Sequence, residues 1–82
     1  KLTVQFIKNN TWIVDGKTEI DEVNKKLRMR LKGGDYDTFG GFVLKLTGKI
    51  PKVGEELTYR DFRLKILEKA KHRISKVRVQ KV

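Results

Sequence analysis

Two stretches near the C-terminal end alternate between apolar and polar residues, and that alternation limits what the chain can fold into. Phe62, Leu64 and Ile66 interleave with Arg63 and Lys65, while Val77 and Val79 interleave with Lys76, Arg78 and Gln80. A period of two sends successive side chains to opposite faces of a strand, so each stretch has one apolar and one charged face. Leu57 and Tyr59, ahead of a turn at Arg60-Asp61, add a third strand, and the charged run KAKHR separates the last two. The pattern predicts three antiparallel strands with tight connections. If the last two strands pair, Arg63, Lys65, Lys76 and Arg78 share one sheet face.

The N-terminal part carries two more strands. In LTVQFI, Leu2, Val4 and Phe6 alternate with Thr3 and Gln5, a half-buried strand pattern. Asn9-Asn10 tolerates positive φ in a short turn, and TWIVDG is then the second strand of a hairpin, closed by Asp15-Gly16. An amphipathic helix of about ten residues comes next. Thr18 is its expected N-cap; Glu19, Asp21 and Glu22 suit the positive end of the dipole, and Lys25, Lys26 and Arg28 the negative end. Ile20, Val23 and Leu27 form its buried stripe. Gly33-Gly34 closes the short segment after this helix.

The stretch DYDTFGGFVLKLTGKIP, residues 35 to 51, admits two readings. A phosphate-cradling loop needs Lys and then Ser or Thr after its last glycine, but Phe42-Val43 stands there. The dinucleotide fingerprint is absent as well. A helix fits better, with Asp37 or Thr38 as N-cap and Asp35 and Asp37 near the positive dipole end. Phe39, Phe42, Val43 and Leu46 form its stripe, Gly48 suits a left-handed stop, and Pro51 lies beyond. Gly40 and Gly41 each cost such a helix about 0.8–1 kcal/mol relative to alanine. Close approach of another backbone to the first turn is the favoured reason, and approach of a ligand the alternative.

At 82 residues the chain suits one domain with one core. The absence of cysteine excludes disulfides, thiolate metal sites and cysteine nucleophiles. No apolar run reaches the ~18–20 residues needed to cross a bilayer, and the start lacks a signal-peptide core. A chain opening on Lys1 suggests a fragment of a longer protein. The net charge is +10, with 8 Lys/Arg against 6 Asp/Glu in residues 1 to 41 and 12 against 4 in residues 42 to 82. Such a balance suits an acidic partner: nucleic acid, anionic lipid or an acidic protein surface.

The ordered motifs resemble the CorC/HlyC transporter-associated domain over nearly the whole chain. They are Trp12, Val14, Asp15 and Gly16 at a strand end; Asn24 in a helix; Asp35 to Thr38 at a helix start; Ile50, Pro51 and Gly54 in a turn; and Arg73, Ile74, Val77 and Val79 in the last strand. The resemblance implies a domain that ends bacterial membrane proteins carrying transmembrane and CBS-type (cystathionine-β-synthase) modules, linked with magnesium and cobalt efflux or called hemolysins. It implies a fold similar to part of a PCMH-type flavin-binding superfamily, and no catalytic residues. The charge departs from the acidic or neutral balance of many members.

Candidate sites are weighed on their chemistry. Asp15, Asp35 and Asp37 could gather as hard oxygen ligands for Mg²⁺, though each has a turn or capping role that suffices. His72 is the lone histidine and sits in a charged turn, and Ser75 has no base partner, so no triad can be assembled. The face of Arg63, Lys65, Lys76 and Arg78 lacks the aromatics of a nucleic-acid platform, which favours a solvated face, then attraction to the anionic inner leaflet, with RNA binding third. Trp12 is either core or a partner contact. Gly40 and Gly41 join it as interaction candidates.

The expected fold is α+β in the order β-β-α-α-β-β-β, an antiparallel sheet with both helices on one face. The expected role is a non-catalytic domain on the cytoplasmic side of the bacterial inner membrane. It would dock on sister CBS and transmembrane domains or form a homodimer, and it would need no cofactor. The alternatives are an FAD or adenine-nucleotide module and, behind it, a basic nucleic-acid binder.

Overall fold

The structure is a computed structural model and describes residues 3 to 82. The elements keep the expected order: β1 (Val4–Lys8), β2 (Thr11–Asp15), α1 (Ile20–Leu27), α2 (Phe39–Thr47), β3 (Glu56–Tyr59), β4 (Phe62–Lys69) and β5 (Ile74–Lys81). The strands form one antiparallel sheet in the order β1-β2-β5-β4-β3. Two tight turns set the register of the outer hairpins. Asn9 and Asn10 both take positive φ (52° and 58°) between β1 and β2, and Arg60 does so (54°) between β3 and β4. Turns of that hand match the twist of the flanking strands.

Side-chain parity then separates the two faces. Val14, Val77 and Ile66 lie in one cross-strand row, and Trp12, Val79, Leu64 and Leu57 in the next. These rows face the helices, and all but Trp12 and Leu57 are fully buried. The helices contribute Ile20, Val23 and Leu27 from α1 and Phe39, Phe42 and Val43 from α2. Phe42 is the aromatic hub, with edge-on contacts to Tyr36 (ring centroids 5.5 Å apart) and Tyr59 (5.0 Å). Such pairs contribute about 0.5–1.5 kcal/mol beyond the area they bury.

Four local expectations change. Helix α1 spans 8 residues rather than ten, because Arg28 takes a left-handed conformation (φ 58°) and stops it. Thr18 is not its cap: Glu19 holds that position without a side-chain cap. Thr18 is only 2% exposed, and its hydroxyl instead donates to the Thr3 carbonyl at 2.9 Å. Phe6 is 60% exposed, since β1 is an edge strand, and its ring meets that of Trp12 edge-on (5.8 Å). Leu46 is 38% exposed; α2 is held to the sheet at its first turn, and its last turn carries Leu46 beyond the core. Leu2, also expected on the apolar face, lies outside the described residues.

Candidate functional site

The glycine stretch resolves first. Thr38 caps α2, its hydroxyl accepting from the Gly41 amide at 3.2 Å. The Phe39 amide donates to the Thr18 carbonyl at 2.8 Å, the Gly40 amide to the Gly16 carbonyl at 2.9 Å, and the Phe42 amide to the Thr38 carbonyl at 3.0 Å. Anion binding at a helix start requires free N–H groups, and here the first four amides already have partners within the chain. The phosphate-loop reading therefore fails on geometry as well as sequence.

The glycines permit this clasp. A Cβ on Gly40 would stand 3.1 Å from the Gly16 oxygen and 3.2 Å from the Ile74 oxygen. One on Gly41 would stand 3.1 Å from the Tyr36 Cβ. The close approach is by the chain's own backbone. The starts of α1 and α2 are joined in the same way, because the Ile20 amide donates to the Asp37 carbonyl (3.2 Å) opposite the Phe39–Thr18 bond.

The three candidate metal carboxylates do not converge. Asp15 accepts from the Lys17 amide at 2.9 Å in its turn. Asp35 pairs with Lys45 at 2.7 Å. Hydrogen bonding to that ammonium, and then its charge, hold the Asp35 carboxyl below its ordinary pKa and raise that of Lys45. Asp35 thus spans to the last turn of α2, whose first turn holds no acidic residue. Among the described residues no group of three or more His, Asp or Glu stands close enough to hold a metal ion.

A cleft of about 560 Å³ opens between the helix starts, with Glu19, Asp21, Asp37 and Lys17 on its walls. Three carboxylates against one ammonium give it the wrong sign for the phosphates of a flavin or adenine nucleotide. A second cleft, about 380 Å³, lies at the opposite end and is lined by Arg28, Met29, Arg30, Arg60, Asp61, Phe62 and Lys81. Periodicity and motif spacing do not assemble it. Its cations come from the end of α1, the loop after it, the β3–β4 turn and the end of β5.

Arg63, Lys65, Lys76 and Arg78 do share the sheet face away from the helices, with Lys65 beside Arg78 across β4 and β5. Glu56 stands beside Lys65, and Lys76 is 3.9 Å from Glu68, so carboxylates border the patch. Trp12 is half-buried and packs on the edge of the core. His72 is exposed between β4 and β5.

A model of the transporter associated domain, CorC_HlyC, matches residues 5–82. The chain belongs to that family. It is 31% identical over 80 residues to hemolysin C of Brachyspira hyodysenteriae, covering 93% of this chain and 30% of that protein. The polyamine export protein of Escherichia coli K12 is 29% identical over 75 residues (89% of this chain, 17% of that protein). The magnesium and cobalt efflux protein CorC of Pasteurella multocida is 26% identical over 78 residues (95% and 26%). The chain thus spans less than a third of each relative. Among solved structures, the CorC_HlyC domain from Nitrosomonas europaea superposes with TM-score 0.92 at 32% identity, covering 100% of this chain and 99% of that one. The domain of a Xylella fastidiosa Temecula1 hemolysin, described in complex with Mg²⁺ and Mn²⁺, gives 0.83 at 25% identity, covering 99% of each. The α+β fold is therefore that of the CorC_HlyC domains.

Proposed function

We propose that this transporter associated domain is a non-catalytic regulatory module of a CorC-like membrane protein, on the cytoplasmic side. It docks on sister domains or a second copy and so biases cation transport. The observation that carries this is the match over residues 5–82, by a chain that spans so little of each relative. The internal geometry agrees. The helix start that could have held a ligand is occupied by the chain's own carbonyls and the Thr38 hydroxyl. Trp12 with Phe6, at the edge strand, is the apolar corner suited to docking.

Relatives are named for magnesium and cobalt efflux and for polyamine export, so the cargo class is a multivalent cation. The test is removal of residues 1–82 from the full-length parent, with efflux measured from cells loaded with Mg²⁺, Co²⁺ or spermidine. Efflux changes while membrane insertion persists. Unchanged efflux of all three cargoes would overturn the regulatory role.

A further inference from the structure

The basic cleft has a property that packing does not explain. Arg28, Arg30, Arg60 and Lys81 surround it with Asp61 as the only carboxylate on its wall among the described residues. The ion pairs among those residues are Lys26–Glu22, Lys45–Asp35 and Lys76–Glu68, and none holds a cation of the cleft. Four like charges about one concavity repel one another and focus a positive field into it.

The backbone at the cleft is unusual for arginine. Five non-glycine residues among those described take positive φ, and three of them are Arg28 (58°), Arg30 (60°) and Arg60 (54°). Left-handed backbone costs an ordinary side chain about 1–2 kcal/mol, and glycine or asparagine is its usual occupant. Arg28 ends α1 and Arg60 makes the β3–β4 turn, so those two also serve the fold, while Arg30 takes the left-handed conformation in the loop between the helices. Strained backbone of this kind gathers where a side chain must be aimed. Arg60 is steadied further by the Tyr59 ring, 5.2 Å from its Cζ.

We propose that this cleft binds phosphate groups of a multiply charged ligand, an oligophosphate or a clustered phosphate headgroup. Guanidinium forks match phosphate oxygens in pairs, and Lys81 supplies a point charge. The volume lies toward the small end of the ~300–1,000 Å³ range of ligand sites. Met29 and Phe62, its apolar lining residues, are buried and offer no ring face for a base to stack on. Recognition rests on the phosphates.

The experiment titrates the 82-residue chain with inorganic triphosphate at low salt, monitored by amide NMR shifts. Saturable shifts at residues 28–30, 60–61 and 81 are expected. Arg30→Gln with Arg60→Gln weakens binding about tenfold or more. Arg63→Gln with Arg78→Gln, an equal loss of charge on the other sheet face, changes it about twofold or less. Shifts spread over every basic surface, equal weakening by both pairs, or no binding at millimolar triphosphate would each overturn the site. If the first pair fails to fold, Lys81→Gln replaces it: weakening about threefold or more supports the site, and unchanged affinity overturns it.

Phosphatidylglycerol vesicles identify the source. Vesicle binding displaced by triphosphate assigns the cleft to headgroups, and triphosphate binding alone assigns it to soluble phosphate. Vesicle binding lost with Arg63 and Arg78 but kept without Arg30 and Arg60 places the anion surface elsewhere and defeats the proposal.

Discussion

Gly16→Ala is expected to lower the free energy of unfolding by about 3 kcal/mol or more, a large part of the ~5–15 kcal/mol typical of a domain. The added Cβ would stand 1.9 Å from the Ile74 carbonyl oxygen and 2.9 Å from its carbon. Both are backbone atoms of β5, so no rotamer change relieves the overlap. Gly16 must move, and its bonds move with it. Its amide donates to the Ser75 carbonyl at 2.8 Å and its carbonyl accepts the Gly40 amide at 2.9 Å. One methyl group therefore disturbs the end of β2, the start of β5 and the start of α2. Gly40→Ala is the informative contrast. Its Cβ meets the Gly16 and Ile74 oxygens at 3.1 and 3.2 Å, so those backbone atoms need give by only a few tenths of an ångström. Alanine also favours the helix by up to about 1 kcal/mol, so the net change stays within about 1 kcal/mol. Urea unfolding at matched m-values measures both. A Gly16→Ala cost below about 1 kcal/mol would show that the β2–β5 corner yields more easily than its geometry implies.

Asn24→Ala is expected to cost about 2–3 kcal/mol, more than an ordinary helix-surface change. The Asn24 side chain clasps the backbone of Leu31 on both sides. Its Nδ2 donates to the Leu31 carbonyl and its Oδ1 accepts the Leu31 amide, each at 2.7 Å. Leu31 is buried, so removing the amide group leaves a donor and an acceptor without their partner in a place water reaches poorly. Asn24→Asp keeps the acceptor and loses the donor, which places it between alanine and wild type. The clasp also fixes the segment that carries Arg28 and Arg30. Thermal unfolding ranks the three proteins; equal stability of Asn24→Ala and wild type would mean that solvent replaces both bonds.

Periodicity carried most of the fold. Every strand and both helices were legible because Val4, Val14, Leu64, Ile66, Val77 and Val79 alternate, while Ile20, Val23 and Leu27 recur at helical spacing. Turn chemistry was legible at Asn9-Asn10, and the stop at Gly48 (φ 75°) likewise. What escaped were interactions between distant parts of the chain. Asp15-Gly16 reads as a turn, and nothing local announces that Ile74 will lie against it. Thr18 has the right identity for a cap, but the helix begins one residue later than that role requires, and its buried hydroxyl donates to the distant Thr3 carbonyl. The exposure of Phe6 and Leu46 depends on where a strand or helix overhangs its neighbours, which periodicity does not encode. The basic cleft escaped because its cations lie on separate elements and three of them occupy a left-handed backbone that composition does not favour.

The strand order has a consequence for how the domain can be divided. Val14 pairs with Val77, so the second strand from one end of the chain lies beside the last strand from the other. The two outer hairpins form from near neighbours, but the sheet closes only when this pair meets across a segment holding both helices, β3 and β4. The central β2–β5 ladder therefore needs residues from both ends of the chain. A chain ending before Ile74 loses the strand that joins both halves, and one starting after Asp15 leaves that strand with a bare edge. A cut between Asp15 and Ile74 therefore leaves neither piece with the β2–β5 ladder.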